Sequence, residues 1–253
     1  MLAASLKTKV RQHQVTLGAL LTVDFWPGYL EIFKSEGLDF AILDMEHSAA
    51  SLHEAEELCR TARLVELPLL IRPEFTLYHL LRKYMDMGPA GFMVPWTERQ
   101  EQIEALRDAV FVPPKGKRGP GGPSLLANRS LDREGWDEIE SALFLMPQFE
   151  TPAGIQNMGA LIAHDWIDAT MLGPYDLSLN LGRWGQTDHP DVVRAIDQVR
   201  TESLKFGKPC GMVIGTVQQA KFWIDRGFHL FICCELSSMV RHQCRSLVQG
   251  IRT

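Results

Sequence analysis

The chain has 253 residues, of which 45% are apolar and 23% charged. That balance belongs to a folded globular protein and excludes a mostly disordered chain, a collagen-like chain and a coiled coil. With 31 acidic against 26 basic residues the net charge is −5, which gives nucleic-acid binding no electrostatic support.

No apolar run approaches the roughly 18 residues of a membrane span. Residues 1–17 carry Lys7, Lys9, Arg11 and His13 with no apolar segment behind them, so no signal peptide is expected. The five cysteines include no CxxC pair and are odd in number. Reduced, buried thiols in a cytoplasmic protein are the expectation.

Eight short apolar runs recur along the chain, at 17–23, 40–43, 69–71, 91–94, 143–149, 167–172, 210–214 and 229–234. Each ends on a polar residue, a glycine or a proline. Helical periodicity marks 51–65, 76–87, 98–110, 191–206, 216–226 and 237–251, the first opening with a Ser51/Glu54 capping box. Alternation of this kind predicts a parallel sheet whose apolar strands are buried on both faces. Eight repeats in this length fit a single (β/α)8 TIM barrel better than an open doubly wound sheet. One domain is expected over the whole chain.

One segment breaks the rhythm. A Gly/Pro-rich loop at about 112–135 includes Pro113, Pro114, Gly116, Gly119, Pro120, Gly121, Gly122 and Pro123. Long insertions of this composition act as active-site lids, subunit contacts or plain connectors.

In such barrels the chemistry sits at the carboxyl ends of the strands. The strand-end inventory here is polar: Asp44, Glu46 and His47; Arg72; Gln148 and Glu150; Asp176 just past Gly173–Pro174. Carboxylates on adjacent strands suit a hard divalent cation. A nearby arginine suits a carboxylate substrate, and a histidine supplies a base near neutrality. None of the nine lysines falls in or just after a strand run. A Schiff-base aldolase needs a desolvated lysine facing the lumen, so stabilisation of a carbanion by metal is the better expectation.

Five stretches then become recognisable: 39–47 (DFAILDMEH), 70–73 (LIRP), 85–95 (MDMGPAGFMVP), 148–151 (QFET) and 172–182 (LGPYDLSLNLG). Together and in this order they resemble the HpcH/HpaI aldolases, pyruvate aldolases with a barrel of the phosphoenolpyruvate/pyruvate type. The resemblance covers about residues 17–235. It implies a class II aldolase that reversibly cleaves a 4-hydroxy-2-oxo acid to pyruvate and an aldehyde. It further implies that Glu150 and Asp176 ligate Mg2+, Mn2+ or Co2+. Arg72 would bind the pyruvyl group and steady its enolate. His47 would be the base, acting through water, with Asp86 as its partner. Gln148 would hydrogen-bond near the substrate, Asp44 would order the surrounding groups, and the Gly173–Pro174 backbone would approach the substrate carboxylate. The partners implied are a small 2-oxo acid and an aldehyde, with neither nucleic acid nor membrane. A homo-oligomer is also implied, a hexamer or a dimer with exchanged C-terminal helices, in which Met239, Leu247 and Val248 pack on another subunit.

The chain departs from the family pattern on the side that would select the aldehyde. Leu125–Leu126 stand where an arginine is common, Tyr175 is bulkier than the usual residue, and Glu235 replaces a common aspartate. An acyl-CoA lyase of the malyl-CoA or citramalyl-CoA type is one alternative, though the chain shows no added C-terminal lid domain. A non-catalytic barrel used for assembly is another, against which the retention of Arg72, Glu150, Asp176 and His47 argues. The remaining histidines, and Trp26, Trp96 and Trp136, read first as surface or packing residues. Phe25-Trp26-Pro27, just after the first strand, is placed to shape the top face.

Overall fold

A computed structural model describes residues 2–119 and 124–252. Eight strands run parallel in sequence order and close on themselves as β1-β2-β3-β4-β5-β6-β7-β8. They are β1 (Thr16–Leu21), β2 (Phe40–Asp44), β3 (Leu69–Arg72), β4 (Gly91–Val94), β5 (Phe144–Phe149), β6 (Thr170–Leu172), β7 (Cys210–Val213) and β8 (Leu230–Glu235). The expected (β/α)8 barrel is the observed fold. The sixth strand is shorter than the run 167–172; ahead of it Asp168 still pairs with Leu145, donating its N–H to the Leu145 carbonyl at 2.9 Å and accepting the Leu145 N–H through its side chain at 3.0 Å.

Eleven helices surround and close the sheet. In chain order they are α1 (Leu2–Arg11), α2 (Gly28–Ser35), α3 (Leu52–Leu64), α4 (Tyr78–Asp86), α5 (Gln100–Val110), α6 (Arg133–Ala142), α7 (Pro152–Ile162), α8 (Pro174–Asn180), α9 (Pro190–Lys205), α10 (Val217–Ile224) and α11 (Leu236–Arg252). The Ser51/Glu54 capping box at the start of α3 is formed as expected. Periodicity did not single out α1, α2, α6, α7 and α8. Two are eight residues or shorter, and α7 carries two glycines that depress helix propensity. Helix α6 lies inside and beyond the segment read as a loop, started by an Asp132 side chain that accepts the Gly135 N–H at 2.9 Å.

Side-chain alternation sorts each strand into an outer and an inner set. Outward residues such as Leu43, Ile71, Val94, Phe149, Leu172 and Met212 pack against the helices. Inward residues Leu20, Phe40, Ile42, Leu70, Met93, Phe144, Met146, Met171, Leu230 and Ile232 fill the lumen. Helix α1 closes the base, adding Ala3, Leu6 and Val10 to this same cluster. The lumen is therefore a packed core rather than a channel. Gly18 leaves room for the ring opposite it, since a Cβ there would meet Phe40 at 2.3 Å.

The Gly/Pro-rich segment follows α5, which carries the chain from the mouth of the barrel back to its base. Its residues 120–123 lie outside the described residues. The described flanks pack against α4 and α5: the Arg118 side chain binds Asp86, the Leu125 N–H donates to the Asp86 carbonyl, and the Lys117 carbonyl accepts the Tyr78 hydroxyl. The described flanks are thus held in the helical layer.

Phe40 is fully buried in the lumen. Phe40→Ala should cost about 3–5 kcal/mol through lost transfer energy and the cavity left behind. Chemical denaturation should show a lower midpoint with an unchanged slope. A change below about 1 kcal/mol would mean that this layer is not tightly packed.

Candidate active site

The alternation that fills the lumen also builds the site. Two residues beyond each inward apolar side chain, at the carboxyl end of the strand, an inward position turns polar. Ile42 is followed by Asp44, Leu70 by Arg72, Met146 by Gln148 and then Glu150, and Met171 by Gly173. The apolar base and the ionisable rim are one pattern of period two.

Asp44 is completely buried and binds four donors. Its Oδ1 accepts the Arg72 Nε at 2.9 Å and its Oδ2 an Arg72 terminal nitrogen at 2.5 Å. The same Oδ1 accepts the backbone N–H groups of Glu46 at 3.0 Å and His47 at 3.2 Å. Asp44 therefore fixes both the guanidinium and the turn that carries the histidine. Burial works against the charge on Arg72, but Asp44, Glu46 and Glu150 together hold its pKa above the ordinary value.

Glu46 lies between the two, its Oε2 3.4 Å from the Arg72 Nε and 3.6 Å from the His47 Nε2. Burial raises its pKa, opposed by Arg72 and His47. The His47 ring is more than half exposed and faces the mouth.

Glu150 continues β5 by one residue and is 2% exposed. Its Oε1 accepts the Trp96 N–H at 3.3 Å. Burial, and then the negative charge of Asp176, push its carboxyl up to about 8. Asp176 sits in the first turn of α8, directly after Gly173–Pro174. The Asn180 side-chain amide ties the two strand ends together, donating to the Glu150 and Asp176 carbonyls at 3.0 Å each. Gly173 is required by space: a Cβ there would lie 2.4 Å from the Glu150 Oε2 and 2.9 Å from the Gln148 Nε2. The Gln148 Oε1 is buried and has no hydrogen-bond partner.

These features fit a hard divalent cation. Glu150 is buried beside the charge of Asp176, which raises its pKa, and the unpartnered Gln148 oxygen marks a polar space beside it. Among the described residues no group of three or more His, Cys, Asp or Glu side chains could enclose a metal. The donor set is thus two carboxylates, which leaves positions for water and an oxygen-bearing substrate, the usual arrangement for magnesium.

The structure brings together Asp44, His47, Arg72, Gln148, Glu150, Gly173, Pro174 and Asp176, but not Asp86. Asp86 closes α4 at the base of the barrel, where it accepts Arg118 at 2.5 Å. Helix α4 runs antiparallel to the strands, so its last residue lies at the end opposite His47. The expected His47–Asp86 pair is therefore not formed within one chain, and Glu46 is the carboxylate beside His47.

Trp96 was read as a packing residue. Its backbone is left-handed, with φ of +46°, rare for an aromatic residue, and this conformation aims its N–H at Glu150. Asn180 has no place in the strand-end inventory and Trp96 was read as packing, whereas Glu46 stood in the inventory without a role. Only Glu46, inside the run Asp44-Met45-Glu46-His47, carried a visible signal.

The fold and this rim define a (β/α)8 barrel with a carboxylate pair and a carboxylate-held arginine at its mouth. Comparison with known proteins agrees. The HpcH/HpaI aldolase/citrate lyase family profile matches residues 25–233. A 2-keto-3-deoxy-L-rhamnonate aldolase of Klebsiella pneumoniae subsp. pneumoniae is 31% identical over 185 residues, 72% of this chain and 69% of that one. A hydroxypyruvate/pyruvate aldolase of Cupriavidus necator is 27% identical over 87% of this chain and 82% of its own. The crystal structure of an HpcH/HpaI aldolase from Desulfitobacterium hafniense DCB-2 superposes with a TM-score of 0.91 at 25% identity, covering 98% of this chain and 96% of that one. The chain belongs to the HpcH/HpaI aldolase/citrate lyase family, and with it to the carbon–carbon lyases.

The raised Glu150 pKa makes a claim about stability. A carboxyl whose folded pKa is about 8 binds its proton more tightly folded than unfolded. In cation-free protein it therefore supports stability below roughly pH 4.3 and loses that support as pH rises toward 8. Glu150→Gln should match wild type near pH 4 and be more stable at pH 8, by thermal unfolding in chelator. A difference independent of pH would refute the assignment.

Proposed function

We propose that this chain is a divalent-cation-dependent aldolase that reversibly cleaves a 4-hydroxy-2-oxo acid to pyruvate and an aldehyde. The observation that carries the reading is the carboxylate pair Glu150 and Asp176 beside a guanidinium fixed by Asp44. Glu150 and Asp176 would hold the divalent cation, which would supply Lewis-acid stabilisation of negative charge on the 2-oxo group. Arg72, already oriented, presents its remaining N–H groups to the pyruvyl oxygens and binds more strongly as enolate charge grows. Gln148 and the Gly173–Pro174 backbone line the place for the substrate carboxylate. His47, exposed at the mouth, takes the C4 hydroxyl proton in cleavage and returns it in condensation. Glu46, its Oε2 3.6 Å from the His47 Nε2, orients that imidazole.

The reading extends to assembly. Of the side chains of α11, Leu236 alone is buried among the described residues, whereas Met239, Val240, Leu247 and Val248 are exposed. A second copy of the chain covering this face fits that pattern. Light scattering should give an oligomer, and a stable monomer at micromolar concentration would refute it.

The catalytic assignments separate in measurement. Chelation should abolish turnover and Mg2+, Mn2+ or Co2+ restore it. Arg72→Ala should lower kcat/KM more than about a hundredfold, the scale of one lost oxyanion donor. His47→Ala should spare cation and pyruvate affinity, measured by calorimetry, while lowering turnover roughly a hundredfold to ten-thousandfold. If His47→Ala loses cation affinity as Glu150→Ala does, His47 is a ligand and not the base.

A further inference from the structure

At the base of the barrel, the end opposite Glu150 and Asp176, a small recess lies between the end of α1, helix α9 and the approaches to β7 and β8. Its volume is about 10 Å3, room for one water or one monatomic ion. His13, Arg200, Cys210, Gly227 and His229 are among the residues that line it. His13 follows α1 in a left-handed conformation, with φ of +53°, and its ring meets the His229 ring edge-on, 5.8 Å between centroids. Gly227 is left-handed too, with φ of +84°, and a Cβ there would lie 2.9 Å from a terminal nitrogen of Arg200. The glycine leaves the guanidinium its place.

Three groups able to donate N–H to an anion thus share one recess, and among the described residues no carboxylate lines it with them. The Arg200 Nε and the His229 Nδ1 are buried and have no hydrogen-bond partner. Buried polar nitrogens are rarely left so. Burial, and then the neighbouring His13 and Arg200, hold the His229 imidazole below its ordinary pKa. The Cys210 thiol, pushed up to about 11 by burial, brings no negative charge. Within a chain whose net charge is −5, the recess is a place of uncompensated positive charge.

We propose that this recess binds a monatomic anion, chloride, between the Arg200 guanidinium and the His13 and His229 imidazoles. Size and charge both select it. A phosphate or a carboxylic acid is too large for a cavity of this volume. A cation would meet Arg200 and find no carboxylate ligand. Water fits the space but leaves the half-buried Arg200 without a counterion. The three donors come from the end of α1, from α9 and from the approach to β8, so a bound anion also ties the helix that closes the base to the barrel wall. The recess is remote from the mouth and independent of the chemistry proposed there.

The test uses the full-length protein, with sodium gluconate exchanged stepwise for sodium chloride at constant ionic strength. Gluconate is too large to enter. An anion held only by the folded chain should raise the unfolding midpoint saturably, by about 2–4 °C for a chain of this size. Arg200→Gln should lose that gain. Bromide replaces chloride and scatters anomalously, so crystals of the wild-type protein grown in sodium bromide should show a peak against Arg200 and His229. That readout does not depend on the folding of any variant. A recess holding only water in the bromide crystals overturns the proposal. So does a midpoint gain that Arg200→Gln retains in full, because the anion then acts elsewhere. A bromide peak without any chloride-dependent gain marks binding at crystal concentration only, and overturns it as well.

Discussion

Nearly every feature of the rim depends on one buried contact, the two-pronged ion pair between Asp44 and Arg72. Both side chains lie out of water, where an unpaired charge is costly. Their geometry satisfies two guanidinium nitrogens and leaves the rest pointing into the mouth. Because the same carboxylate also holds the Glu46 and His47 N–H groups, the arginine and the histidine cannot be placed independently. Loss of Asp44 would strand a buried guanidinium and release the His47 turn in one step. Its worth to the protein is positional: it makes two groups of different chemistry share one reference point.

Around that anchor the barrel arranges an electrostatic imbalance. Glu150 is surrounded by apolar β-strand side chains below and by another carboxylate beside it, and only the Trp96 N–H and the field of Arg72 oppose its protonation. Trp96 is held in a left-handed conformation to make that contact, and Gly173 gives up its side chain so that the backbone can close in. Strain at one residue, a missing side chain at another and an unsatisfied glutamine oxygen all converge on the same few ångströms. Such features concentrate where a protein is shaped for something it binds.

The fold was legible because each strand declared its end. Asp44, Arg72–Pro73, Pro95, Glu150, Gly173–Pro174 and Gly215 punctuate apolar runs that otherwise differ little, and the strands fall within a few residues of those marks. Polar residues at the carboxyl ends of those runs, Asp44, Arg72, Gln148 and Glu150, were legible as site candidates by position alone. Helices α1 and α6 escaped because their identity depends on what they cover. A short segment such as Ala3, Leu6 and Val10 announces little until the open base of a barrel lies above it. Asp86 came from the family resemblance alone; it ends α4 just before β4, and the residue before a strand lies at the base, away from His47 of the same chain. Trp96 and Asn180 act through backbone conformation and through a side-chain bridge between two loops, neither of which leaves a pattern in residue type.

The closed base has a kinetic consequence. With α1 packed into the lumen, molecules enter and leave the barrel only through the mouth. Gln148 and Glu150 are buried at the deeper level of that mouth, and the exposed His47 ring lies nearer the rim. A one-door vessel loaded in two layers must fill from the bottom and empty from the top. Two molecules that met there would have to enter with the deeper one first and leave in the reverse order.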